Sequence, residues 1–207
     1  MHPNPAFRPG NATEAFALAR EWGFGMLAVS VADAAPMLSH IPFLVAEDGS
    51  HAELHLVRSN PIARALSGPS PARIAVQGPH GYISPDWYGV ENQVPTWNYL
   101  AIHLTGTLHP LPQDALPGLL DRLSAHFEAR LAPKPEWTMA KMDPEAAGKL
   151  MRQILPFRFD IDSIDSTWKL SQNKPDTVRL AAADHLAAQG FGSDIGLLSA
   201  LMRKPPE

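Results

Sequence analysis

The period of apolar residues switches along the chain, and each switch marks a new element. Phe16, Ala19 and Arg20 fall at helical spacing, which predicts a short helix capped by Thr13, running to Trp22 and stopped by Gly23. From Phe24 the period is two: Leu27, Val29 and Val31 alternate with small residues. Met37 to Val45 and His51 to Val57 read as two further strands joined at the Asp48-Gly49 hairpin signal. Pro61 to Leu66 predicts one short helix. Ala72 to Gln77 predicts a strand stopped by Gly78-Pro79, with a further short strand at Tyr82 to Ser84. The clearest strand is Asn98 to Leu108. Leu100, Ile102, Leu104 and Leu108 face one way, and Tyr99, His103, Thr105 and Thr107 the other. The clearest helix follows, its stripe formed by Leu116, Leu119, Leu120, Leu123 and Phe127, with Pro117 tolerable only in the first turn. A helix near Pro144 to Met151 comes next. Phe157, Phe159 and Ile161 then alternate with Arg158, Asp160 and Asp162 as a strand. Two helices, Asp176 to Ala188 and Ser193 to Met202, end the pattern.

About six short strands with turns between them and helices inserted predict a mainly β, α+β fold built on an antiparallel barrel or sheet. Composition agrees with a packed core: 45% of residues are apolar and 18% charged. Proline is unusual, 21 of 207 against a typical ~5%. The prolines are scattered, so they read as fixed turns and not as a polyproline linker. The absence of cysteine excludes disulfides, thiolate zinc sites and Cys nucleophiles. Net charge is -4 with no basic run, which advertises no nucleic-acid surface. The Pro-rich opening has no apolar signal-peptide core, and no apolar run approaches ~18 residues. A cytoplasmic location is the default expectation.

Several constellations could carry chemistry. His51 and His55 stand four apart, but on a strand that spacing spans ~13 Å and one ion cannot bridge it. Ser39 and His40 are neighbours on a strand, so they point to opposite faces and form no nucleophile-base pair. No Gly-x-Gly-x-x-Gly, Walker or Gly-x-Ser-x-Gly motif exists, so side chains must hold any bound phosphate. Arg58-Ser59-Asn60-Pro61, at a strand end and helix start, suits that task. Residues 78–88 and 94–99 are dense in aromatics. They close a barrel end or an interface, or line a pocket for a flat ring. Lys169 to Lys174 is a polar cluster after a strand, read on its own as a solvated loop.

Taken in order, these pieces resemble the PaiB family of FMN-binding negative transcriptional regulators. Met1 to Arg8 is similar to its opening, with His2 where the family has Tyr. Ser39-His40-Ile41-Pro42-Phe43-Leu44 resembles its Ser-His-x-Pro-Phe element, and His55 to Pro61 its His-x-x-Arg-x-Asn-Pro. Gly78 to Tyr88, Val94 to Tyr99 and Lys169 to Lys174 match its three remaining signatures. Two places depart: Leu155-Pro156-Phe157 replaces Val-Gly-Phe, and Asp165-Ser166-Thr167 replaces a Glu-Gly-Lys turn.

The resemblance implies an FMN-binding split β-barrel, antiparallel, spanning residues 1–207 as one domain with a C-terminal helical extension at 175–207. It implies a homodimer with FMN at the interface. Arg58 would pair with the 5′-phosphate, and Asn60 and Ser39 would bond phosphate or ribityl oxygens. His40 would lie along the isoalloxazine edge. Trp97 and Asn98 would close the ring pocket, and Lys169 and Gln172 would meet the pyrimidine edge or phosphate. Three functions follow from the family and fold. One is a regulator, although the last helix lacks the polar face of a DNA-reading helix. The second is an NAD(P)H-dependent flavin oxidoreductase, with His40, His103 or Tyr99 beside the ring. The third is a haem or flavin carrier.

Overall fold

The computed structural model describes residues 1–8, 12–31 and 34–206. Helix α1 (Ala12–Trp22) begins one residue before the expected cap, so Thr13 lies inside its first turn. The position that would cap it falls outside the described residues. Gly23 ends α1 in the left-handed region (φ 55°), its N–H bonding Ala19 O at 3.0 Å.

The strands are β1 (Phe24–Val29), β2 (Met37–Val45), β3 (His51–Val57), β4 (Ser70–Ile83), β5 (Thr96–Pro110), β6 (Ile154–Lys169) and β7 (Gly192–Ser193). The helices that follow α1 are α2 (Pro61–Ala65), α3 (Leu116–Glu128), α4 (Pro144–Met151), α5 (Asp176–Gln189) and α6 (Ile195–Arg203). The fold is α+β. Seven strands form one antiparallel sheet in the order β1-β2-β3-β6-β5-β4-β7, and β1 also pairs with β4, so the order of the first six closes on itself. Among the described residues no helix is long and apolar enough to cross a membrane.

By its internal contacts the chain divides into two compact units. Unit one is 1–15, 76–103 and 165–207; unit two is 16–75 and 104–164. In unit two the β2–β3 hairpin and the start of β6 lie in register, with Leu54 opposite both Phe43 and Phe157. Strict alternation fails at Phe43, Leu44 and Val45, all buried, because α3 packs over this end of β2. The pair Arg122–Glu53, bidentate at 2.7 and 2.6 Å, fastens α3 to β3. In unit one, α5 and α6 pack together, and Ser199 Oγ donates to Ala183 O at 2.9 Å.

Three local expectations change. Strand β4 runs straight through Gly78-Pro79. It pairs with β1 over Ala72 to Ala75 and with β7 only at His80 and Gly81, so Pro79 falls in a gap where its missing N–H leaves no β1 or β7 bond unmade. Strand β6 likewise passes through Asp165-Ser166-Thr167 with no turn. Ser193 belongs to β7, and α6 starts at Ile195 after an Asp194 cap whose Oδ1 accepts from Leu197 N.

Strand β5 shows the expected alternation from Asn98 through Leu108, every second residue being buried. Gly106 stands on that buried face. A Cβ there would lie 1.9 Å from the carbonyl oxygen of Asp160 on β6. We expect Gly106→Ala to lower unfolding free energy by at least ~2 kcal/mol in denaturant titration. Gly68→Ala, where a Cβ meets nothing within 4 Å, should change it by less than ~0.5 kcal/mol.

His55, on β3 opposite Pro156, is half-buried, and its Nδ1 has no partner among the described residues. Burial holds its imidazolium below the ordinary 6.5. The unfolded chain therefore takes up this proton more readily than the folded one. Stability should be full above about pH 6.5 and fall as pH drops through the lower folded value. His55→Gln should flatten that acid-side fall in melting temperature measured from pH 7 to 5. An unchanged slope would assign the fall to other groups.

Candidate functional site

The eight residues singled out from sequence fall into two sets of four, one in each unit. In unit two, Ser39 and His40 sit on β2, and Arg58 and Asn60 at the passage from β3 to α2. Asn60 has two tasks. Its Oδ1 accepts from Ile62 N at 2.9 Å and caps α2, with Pro61 at the first helical position. Its Nδ2 donates to Ser39 Oγ at 2.9 Å, so the sequence-distant Ser39 and Asn60 form one polar pair. His40 points the other way and is exposed, its ring stacked on Phe24 at 6.3 Å. Arg58 is partly committed. Its Nε donates to Arg152 O at 2.6 Å and its Nη2 to Gln113 Oε1 at 2.7 Å, which ties the end of β3 to the C-terminus of α4 and to the turn before α3. Gln113 in turn donates to Met151 O and Ile154 O.

In unit one, Trp97 and Asn98 open β5, Lys169 ends β6, and Gln172 lies in the turn before α5. Of these, Asn98 and Lys169 line a cleft of about 220 Å³ together with Tyr88, Thr96, Ser171 and Lys174. Asn98 occupies the buried face of β5 and is 0% exposed. Its Nδ2 donates to Ser171 Oγ at 2.9 Å and to Met202 Sδ at 3.4 Å, while its Oδ1 has no partner among the described residues. Ser171, in the left-handed region at φ 62°, also meets Tyr88 Oη at 3.0 Å. Burial pushes the Tyr88 phenol up, against a smaller opposite effect of Ser171, so the hydroxyl stays protonated. Lys169 Nζ donates to Thr96 Oγ1, and burial lowers its ammonium from the usual 10.5. Lys174 Nζ donates to Gln93 Oε1 and lies 4.3 Å from the centre of the Tyr88 ring, a cation–π contact.

Gln172 is used by the turn itself: Oε1 accepts from Leu170 N at 2.8 Å, and Nε2 donates to Trp168 O. Trp97 is 44% exposed and packs edge-on to Tyr82 and Phe191. Tyr88, Thr96, Ser171 and Lys174 were not singled out from sequence. Their signal was present. Asn98 shares a strand face with Leu100 and Ile102, and a polar residue on a buried face needs partners, which Ser171 and Met202 supply.

The sequence model of the family described as "Putative FMN-binding domain" matches residues 1–163. The chain is 31% identical over 173 residues to protease synthase and sporulation protein PAI 2 of Bacillus subtilis, covering 83% of this chain and 82% of that one. Among solved structures, the FAD and heme binding protein of Mycobacterium smegmatis superposes with a TM-score of 0.57 at 22% identity, over 90% of this chain and 82% of that one. The flavocytochrome Anf3 of Azotobacter vinelandii does so with 0.56 at 9% identity, over 81% and 72%. These two likenesses establish the fold, that of flavin-binding split barrels. By its family match and its likeness to PAI 2, the chain belongs to the PaiB family of FMN-binding proteins, whose cofactor is FMN.

Proposed function

We propose that the protein carries FMN as a cytoplasmic homodimer, and that the flavin, or a ligand beside it, sets the state of a negative regulator of transcription. The observation that carries the flavin reading is Asn98, wholly buried with an amide oxygen that has no partner among the described residues, in a cleft that holds Lys169 and Lys174. An amide oxygen lacking a donor suits the N–H of a flavin's pyrimidine edge, and the two lysines suit the carbonyl oxygens beside it or the phosphate. Arg58 keeps its Nη1 hydrogens for the 5′-phosphate after bonding Arg152 O and Gln113. Ser39 and Asn60 add hydroxyl and amide groups for phosphate or ribityl oxygens, His40 borders the isoalloxazine, and Trp97 covers the ring. Lys169, with Gln172 shaping its turn, serves the pyrimidine edge or phosphate. FMN, when bound, supplies one- and two-electron transfer.

The homodimer reading is supported by the exposed rings of unit one, where Trp97 and Phe191 (58% exposed) meet Tyr82 at the surface. Regulation through direct reading of DNA by α6 gets no such support. Its Leu198, Ser199 and Met202 are buried, and Arg203 is held by Asp184 and Ser199. The regulatory signal is therefore assigned to the ligand and not to a recognition helix.

Purified protein mixed with FMN and desalted should keep about one flavin per chain, with bands near ~370 and ~450 nm. Arg58→Ala should weaken FMN at least about tenfold in fluorescence titration, the loss of a charge-assisted phosphate contact. An unchanged dissociation constant would remove Arg58 from the phosphate site. Loss of all flavin on desalting, with a haem band after haemin addition, would replace flavin carriage by haem carriage.

A further inference from the structure

Charge in the unit-one cleft is one-sided. Lys169 and Lys174 both border it, and neither has a carboxylate within ion-pair distance among the described residues. Their partners are neutral: a hydroxyl for Lys169, an amide oxygen and a ring for Lys174. No Asp or Glu lines the cleft. Two ammonium groups without an acid are unusual in a chain of net charge -4, because half-buried charges find partners where the protein supplies them.

The Ser171–Tyr88 hydroxyl pair behind the lysines is short of an acceptor as well. Ser171 and Tyr88 own two hydroxyl hydrogens and share one bond. Ser171 Oγ already accepts from Asn98 Nδ2. Whichever hydroxyl donates to the other, the second hydrogen has no acceptor among the described residues. Turning the Asn98 amide over would give its oxygen the Ser171 hydrogen. It would also strip both Nδ2 hydrogens of their present acceptors, Ser171 Oγ and Met202 Sδ, so the shortage moves and does not close. Water could take one stray hydrogen but would leave the two positive charges uncompensated.

We infer that the unit-one cleft is a site for an oxyanion, a carboxylate or phosphate group, held by Lys169, Lys174 and the Ser171–Tyr88 hydroxyl pair. One group with several lone pairs supplies what both lysines and the surplus hydroxyl hydrogen lack. Desolvation of Lys169 makes the gain larger, since burial disfavours its ammonium. The inference does not rest on the flavin reading. The oxyanion is either the phosphate of FMN or the acid group of a separate small ligand.

The test is calorimetric titration of the flavin-free full-length chain with inorganic phosphate and with acetate, repeated with FMN in the presence of saturating phosphate. At least one of the two anions should bind saturably. Lys169→Met and Lys174→Met should each weaken it about tenfold or more, and Ser171→Ala by about three- to fivefold. Lys169→Arg should restore most of the affinity. Melting temperatures of the variants, together with the Arg rescue, separate lost binding from lost folding. Competition between phosphate and FMN would assign the site to the flavin's own phosphate. Simultaneous binding would assign it to a second ligand. Saturable binding of neither anion, or affinity indifferent to both lysines, overturns the inference even where FMN is retained. Lysine-dependent anion binding by a chain that takes up no FMN would remove the flavin reading and leave this one standing.

Discussion

Strand β5 lies against β6 only because Gly106 offers no Cβ to the Asp160 carbonyl, and the closed order of strands depends on that approach. A strand that alternates has no freedom of its own. Once the ladder places Gly106 inward, Leu104, Ile102, Leu100 and Asn98 follow at steps of two, and a slip of one residue would turn them all outward. The buried position of Asn98 is thus set eight residues away, by a contact between two backbones. Four apolar side chains on the same face, each fully buried Leu or Ile contributing roughly 1.5–3 kcal/mol, hold the register against the cost of burying one amide.

Where the chain's local signals and its long-range pairing agree, sequence reading reaches single-residue accuracy. β2, β3 and α4 begin and end where period and turn residues place them, because each is bounded by its own hairpin signal or cap. Where the two compete, pairing wins. Gly78-Pro79 is a strong local stop, and Asp165-Ser166-Thr167 reads as a turn, yet both lie within strands of 14 and 16 residues. The tolerance of Pro79 depends on a gap between two partner strands, which no local window contains.

The candidate residues divide in the same way. Their identities were legible from four motifs, and the polar residue on the inward face of β5 could be picked out by counting. Their bonds were not. Arg58 reaches Arg152 O and Gln113, 94 and 55 residues away, and Gln172 folds back on the turn that carries it. A motif records which side chains are present at a site. It does not record how much of each side chain's bonding capacity the fold has already used.

That remaining capacity is what distinguishes a ligand site from well-packed polar structure. Asn60 and Gln172 have their oxygens committed to backbone amides, and removing either would first disturb a helix cap or a turn. Lys169, Lys174, Ser171 and Tyr88 are different: their protein partners leave two positive charges and a hydroxyl hydrogen unanswered. Folding alone does not favour such an arrangement, since burial penalises the Lys169 ammonium and no acidic residue lining the cleft offsets it. A methionine and a leucine at the two lysine positions would pack the same strand end and turn at less electrostatic cost. The lysines are therefore better explained by what enters the cleft than by what the fold needs there.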